Sequence, residues 1–206
     1  MLLLFGDVVI RRYPHSIVIT ALMLIGASLA GCDREKQADE QALEQTTKSS
    51  PSMGSDGQGF AYVVQRGFQG QDAPDTAFAD SEGKPVRLTD FRGKPVLVNL
   101  WATWCAPCVA EMPALDKLAT AAGAKRHVIT VSQDLQGSKI VTPWMEKAGL
   151  TALPAYVDPE NRLMDKYNSA LPTTIYYDAK GKEVWRVIGA MDWMGEEAAA
   201  LLNEAK

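Results

Sequence analysis

Trp101-Ala102-Thr103-Trp104-Cys105-Ala106-Pro107-Cys108 closes a strongly apolar run, Val96 to Trp101, with two cysteines separated by two residues. Bounded by Pro95 and by the cysteine turn, the run reads as a central strand buried on both faces. A helix beginning at Cys105 points its unpaired backbone N–H groups and the positive end of its dipole at the first sulfur. Cysteines in such settings ionise with pKa values of roughly 3.5 to 7.5, so a nucleophilic thiolate is populated at neutral pH. Cys108, one turn further on, can then attack a mixed disulfide formed on Cys105. The pair reads as a redox-active dithiol that closes to a Cys105–Cys108 disulfide and asks for no cofactor.

Three other readings compete. A CxxC can be half of a zinc site, but the chain adds only His15, His127 and Cys32. Two of these lie in the N-terminal region, so four tetrahedral ligands do not assemble and no metal site is expected. A purely structural disulfide closing so short a loop removes little chain entropy. A single peroxidatic cysteine asks for a proline and a Thr or Ser at set distances before it. Thr103 stands two residues before Cys105, but the upstream proline is missing.

Trp104-Cys105-Ala106-Pro107-Cys108 resembles the active site of the thioredoxin superfamily. Leu97-Val98-Asn99-Leu100-Trp101-Ala102-Thr103-Trp104 together with Cys108-Val109-Ala110-Glu111-Met112-Pro113 resembles the TlpA-like branch, which includes ResA-like and CcmG-like proteins. The likeness covers about Asp72 to Lys206. It implies a thioredoxin-like α/β fold, with a mixed central β-sheet flanked by helices on both faces and an N-terminal β-hairpin extension.

At 206 residues and 47% hydrophobic content the chain suits one domain with appendages, and a net charge of −4 without a basic stripe argues against a nucleic-acid partner. Residues 1–31 read as a lipoprotein signal peptide. Arg11 and Arg12 precede an apolar run, Ile17 to Leu29, that is short for a membrane span of about 20 residues. It ends in Leu29-Ala30-Gly31-Cys32, which resembles a bacterial lipobox and implies lipidation of Cys32. Residues 32–59 then read as the lipidated cysteine and a disordered tether, poor in large apolar side chains and carrying six acidic against three basic residues. A flexible coil of that length reaches roughly 30 Å. Asp33 resembles a signal for retention in the inner membrane.

The domain is expected over 60–206. A strand is read at Ala61 to Gln65, and Ala77-Phe78-Ala79 and Pro85-Val86-Arg87-Leu88 flank a glycine-bearing loop as a hairpin. A helical turn capped by Thr89 follows. After the Val96 to Trp101 strand comes a helix interrupted by Pro113, which deletes the bond to the Val109 carbonyl. The next strand is His127 to Ser132. A helix capped by Ser138 or Thr142 runs to Ala148, with Pro143 favouring a start at Thr142. A short strand at Ala155 to Asp158, a helix at Asn161 to Tyr167, a hairpin of Thr173 to Tyr177 with Glu183 to Ile188, and a helix at Met194 to Ala205 complete the chain.

Leu171-Pro172-Thr173 resembles the cis-proline loop of thioredoxin-like folds, which sets its proline against the dithiol. Proline offers no N–H there, leaving the neighbouring backbone free to face an extended substrate. Trp104, Ala106, Pro107, Leu171 and Pro172 are therefore the expected substrate-contacting residues, and Cys105, Cys108 and Glu111 the expected catalytic ones. Glu111 lies three residues after Cys108 on nearly the same helix face. The TlpA-like resemblance associates an acid at this offset with the active site, where it could relay the Cys108 proton; the alternative is a solvated helix glutamate. Asn99 stands where thioredoxin carries a buried aspartate, and an amide cannot act as a general base.

The sequence thus points to a membrane-anchored thiol-disulfide oxidoreductase on the outer side of a bacterial cytoplasmic membrane, expected as a monomer. The resemblance implies reduction of specific protein disulfides, such as those of apocytochromes c or copper chaperones. It also implies recharging by a membrane reductant of the DsbD/CcdA type. The rival is a Cu(I)-binding or partner-docking module, because soft thiolates select Cu(I).

Overall fold

The computed structural model describes residues 51–55, 59 and 61–205. The expected signal peptide, Cys32 and most of the expected tether lie outside these residues. In chain order the elements are β1 (Ser52–Ser55), β2 (Ala61–Gln65), β3 (Ala77–Ala79), β4 (Pro85–Arg87) and a 3-10 turn over Leu88–Phe91. Then come β5 (Val96–Trp101), α1 (Ala106–Ala122), β6 (His127–Ser132), α2 (Ser138–Lys147) and β7 (Ala155–Val157). The chain continues through α3 (Arg162–Tyr167), β8 (Thr173–Tyr177), β9 (Glu183–Gly189) and α4 (Glu196–Leu202).

The strands form one mixed sheet in the order β1-β2-β9-β8-β5-β6-β7-β3-β4. β5 and β6 pair in parallel, as do β6 and β7, and every other neighbour is antiparallel. β5 lies at the centre because nothing on it needs solvent: all six of its residues are buried. Its alternating side chains feed two cores, as the two-residue period of a strand requires. Leu97 and Trp101 join Cys108, Met112, Leu115, Val141, Met145 and Leu201, so α1, α2 and α4 cover that face. Val96, Val98 and Leu100 join Leu163 and Tyr167 of α3 and Leu88 of the 3-10 turn on the other. Within this second core the Tyr167 and Tyr177 hydroxyls share a hydrogen bond of 2.7 Å. Burial pushes both phenols above their ordinary range, so the pair stays neutral.

Four features differ most from the sequence reading. The sheet begins before residue 60, since β1 falls inside the stretch read as tether. Its residues, Ser52-Met53-Gly54-Ser55, carry no strand pattern and are held by pairing with β2. α2 starts at Ser138 rather than Thr142, with Pro143 inside it. Burial of Val141 in the core draws the first turn into helix, and Gly137 at φ +57° supplies the entry. The 3-10 turn is entered from Arg87 rather than capped by Thr89; the Asp90 carboxylate accepts from the Arg87 N–H at 2.8 Å. The last helix is shorter than Met194 to Ala205 because Asp192 closes a turn ahead of it, accepting from the Met194 and Gly195 N–H groups.

Gly189 ends β9 opposite Tyr62 of β2 and donates its N–H to the Pro172 carbonyl at 2.9 Å. Its φ is +101°, and a Cβ there would run into the Ala61 carbonyl oxygen and lie 2.9 Å from the Tyr62 Cα. Gly149, after α2, also has positive φ, +69°, but faces open space. Gly149→Ala is expected to cost only the left-handed backbone penalty of about 1–2 kcal/mol. Gly189→Ala should cost clearly more, because strand β2 must also move. Urea unfolding midpoints of the two variants check this order.

Candidate active site

The cysteine pair sits where β5 runs out of the sheet and α1 begins. Cys105 and Cys108 form a disulfide with Cα atoms 5.3 Å apart. Cys105 is the N-cap of α1: its Sγ accepts the Cys108 N–H at 3.4 Å and its carbonyl accepts the Val109 N–H at 3.0 Å. The helix head therefore points at this sulfur, the arrangement that favours a thiolate there once the disulfide is opened. The two sulfurs are unequal. Cys105 retains 6% exposure and Cys108 none, so Cys105 is the more accessible sulfur.

The Leu171–Pro172 peptide bond is cis. Because Thr173 pairs with Leu100, Pro172 lies beside the end of β5 from which the dithiol turn departs. Leu171 packs against the core that contains both cysteines. Trp104 and Ala106 are exposed and Pro107 is half-buried, giving a rim around Cys105, whereas Trp101 is wholly buried with its ring 4.9 Å from that of Trp144. The structure thus brings Trp104, Cys105, Ala106, Pro107, Cys108, Leu171 and Pro172 to one end of the sheet. Cys32 lies outside the described residues.

Glu111 is buried rather than solvated, with 4% exposure. Its Oε1 accepts from the Asn99 amide at 2.7 Å, and its Oε2 accepts from the Trp193 indole at 2.9 Å and the Met191 N–H at 3.2 Å. Asn99 also donates to the Thr174 hydroxyl at 2.9 Å. The amide that replaces an aspartate thus has a physical reason: a second carboxylate at that place would face Glu111 across a hydrogen-bond distance.

Two residues of the site carry no sequence signal of their own. Trp193 is one, separated from Glu111 by most of the domain. The other is Asp134, buried after β6, whose carboxylate accepts from the Thr103 N–H at 2.9 Å and hydroxyl at 2.7 Å. The only available hint was its position beyond the carboxyl end of a parallel strand, where sites of α/β sheets gather.

A pocket of about 360 Å³ opens beside Arg186, lined by Gln65, Phe68 and Tyr167 and by none of the dithiol residues. A substrate that is itself a protein reaches the sulfur from outside and needs no such enclosure.

A mixed sheet, a Cys-x-x-Cys disulfide at a helix head and a cis-proline beside it define a thioredoxin-like dithiol protein. The AhpC/TSA family model matches residues 69–185, and the chain belongs to this thioredoxin-like family as a thiol-disulfide oxidoreductase. It is 37% identical over 124 residues to the thiol-disulfide oxidoreductase ResA of Geobacillus thermodenitrificans, covering 59% of this chain and 70% of the relative. ResA of Bacillus subtilis is 34% identical over 129 residues, covering 60% and 69%. Among solved structures, one assigned as a thiol:disulfide interchange protein DsbE from Chlorobium tepidum superposes with a TM-score of 0.58 at 25% identity, over 66% of this chain and 95% of its own. The exposed lipoprotein thioredoxin of Streptococcus pneumoniae gives 0.52 at 32% identity, over 64% and 98%.

Asn99→Asp is expected to place two carboxylates within a hydrogen bond of each other, out of water. Left ionised, such a pair costs on the order of 3–5 kcal/mol. It escapes by holding one proton, which raises the apparent pKa of the pair. The variant should therefore be least stable at alkaline pH and regain stability as the pH falls, measured by denaturant unfolding at pH 5 and pH 8.

Proposed function

We propose that the chain is a membrane-tethered reductant of protein disulfides, working through Cys105 and Cys108. The observation that carries this is the disulfide at the head of α1, with its more exposed sulfur capping the helix. In the reduced protein the Cys105 thiolate attacks a substrate disulfide, forming a mixed disulfide and expelling one substrate thiolate. Cys108 gives up its proton and attacks the Cys105 sulfur, closing the Cys105–Cys108 disulfide and expelling the second. Two electrons pass to the substrate, which ends as two thiols. Glu111, one turn beyond Cys108 and held by three N–H donors, takes the Cys108 proton. Trp104, Ala106, Pro107, Leu171 and Pro172 form the surface on which the substrate segment lies.

The same reading makes residues 1–31 a signal peptide, Cys32 a lipidated N-terminus, and the following residues a tether for an extracytoplasmic domain. The lipobox-like Leu29-Ala30-Gly31-Cys32 supports it, as does the likeness to a pneumococcal lipoprotein thioredoxin. Among the described residues no helix is long and apolar enough to cross a membrane. The domain acts as a monomer on partners such as apocytochromes c or copper chaperones, and a membrane dithiol reductant of the DsbD/CcdA type restores its thiols.

Cys105→Ser is expected to reduce insulin turnover to background. Cys108→Ala should instead accumulate a mixed disulfide on Cys105, whose attached protein mass spectrometry identifies. A wild-type protein that retains Cu(I) and shows no turnover would replace this reading with the copper-binding one. Intact mass of the membrane fraction should give an acylated N-terminus at Cys32; any other mature N-terminus removes the anchor.

A further inference from the structure

Asp134 belongs to neither the cysteine motif nor the rim, yet it is a buried acid, 3% exposed, bonded directly to the dithiol turn. Its carboxylate accepts three hydrogen bonds. Oδ1 takes the Thr103 hydroxyl at 2.7 Å, and Oδ2 takes the Thr103 N–H at 2.9 Å and the Ser132 hydroxyl at 2.7 Å. Thr103 is two residues from Cys105, so the carboxylate lies within roughly 10 Å of that residue's backbone. On the segments packed around the turn and the end of β6, the other buried charged side chains are Glu111 and Asp158, the latter with its N–H on the Ser132 carbonyl and its carboxylate facing the Leu163 N–H and Arg162, while Lys139 and Asp192 are exposed to screening solvent. The buried guanidinium of Arg186 is already matched by two hydrogen bonds to Glu183.

We propose that Asp134 sets the redox direction of the dithiol. Its buried negative charge opposes the positive head of α1, makes the Cys105 thiolate costlier, and so favours the disulfide over the dithiol. A couple whose reduced form is less stable is a stronger reductant, the converse of oxidants whose reduced form is stabilised. This deepens the reductase reading and rests on it. The rival role is a mechanical clamp that merely holds Thr103 in place.

Equilibration with glutathione separates the two. In that reaction two glutathione thiols pass two electrons and two protons to the protein disulfide, giving the protein dithiol and one glutathione disulfide. Asp134→Asn keeps the shape and an acceptor oxygen but removes the charge. It should raise the equilibrium constant for dithiol formation about tenfold, equivalent to about 30 mV toward the oxidising side. Asp134→Ser, also neutral, should shift in the same direction and serves if the amide variant does not fold. Thr103→Val keeps the charge and loses the hydroxyl donor; it should move the constant less than twofold. At pH 7, iodoacetamide should alkylate Cys105 faster in the neutral variants than in the wild type. An unchanged constant in the folded neutral variants, or an equal shift in Thr103→Val, overturns the proposal and leaves the reductase reading standing. A wild type without any reversible two-electron couple removes both.

Discussion

The burial of two carboxylates beside the dithiol turn fixes which segments of the domain must meet there. Asp134 reaches from the end of β6 to Thr103, just before Cys105, while Glu111 reaches from α1 to Asn99 on β5 and to Met191 and Trp193 beyond β9. A buried carboxylate without donors is costly, by several kcal/mol. Each acid therefore enforces the placement of the segments that supply its donors. The turn that carries the sulfurs is braced from one side by a parallel neighbour of β5 and from the other by the segment leading into α4.

This bracing matters because the sulfurs do opposite things. In the proposed mechanism Cys105 is met by a partner protein, and Cys108 stays hidden until a mixed disulfide forms. One helical turn accomplishes the difference. The N-cap position leaves Cys105 at the surface end of α1, and the next turn buries Cys108 against the sheet. The helix head supplies positive partial charge at the first sulfur, while the acids on either side supply negative charge in a poorly screened setting. The balance between them, rather than the cysteines alone, governs how strongly the pair holds its electrons.

The elements legible in the sequence were those whose residues are selected for one environment. β5, β6 and β8 match their expected bounds because a strand in the middle of a sheet is apolar along its length and stops where it must turn. The 77–79 and 85–87 hairpin was readable from its glycine-bearing loop. Where local preference and tertiary packing pull apart, packing prevailed. Val141 drew the start of α2 upstream of Pro143, and β1 formed from Ser52-Met53-Gly54-Ser55 because β2 offered an open edge.

Sequence by itself determined the family, the sheet's central strand and the two sulfurs, since these rest on residue types at short, fixed spacings. Only the folded chain decided that Glu111 is buried and that Asn99, Met191 and Trp193 serve it. It alone brought Asp134 to the cysteine turn. Those partners are separated from the residues they hold by 12 to 82 positions. No local pattern encodes a hydrogen bond across such a distance. It exists because the strand order places those ends side by side and water is excluded from between them.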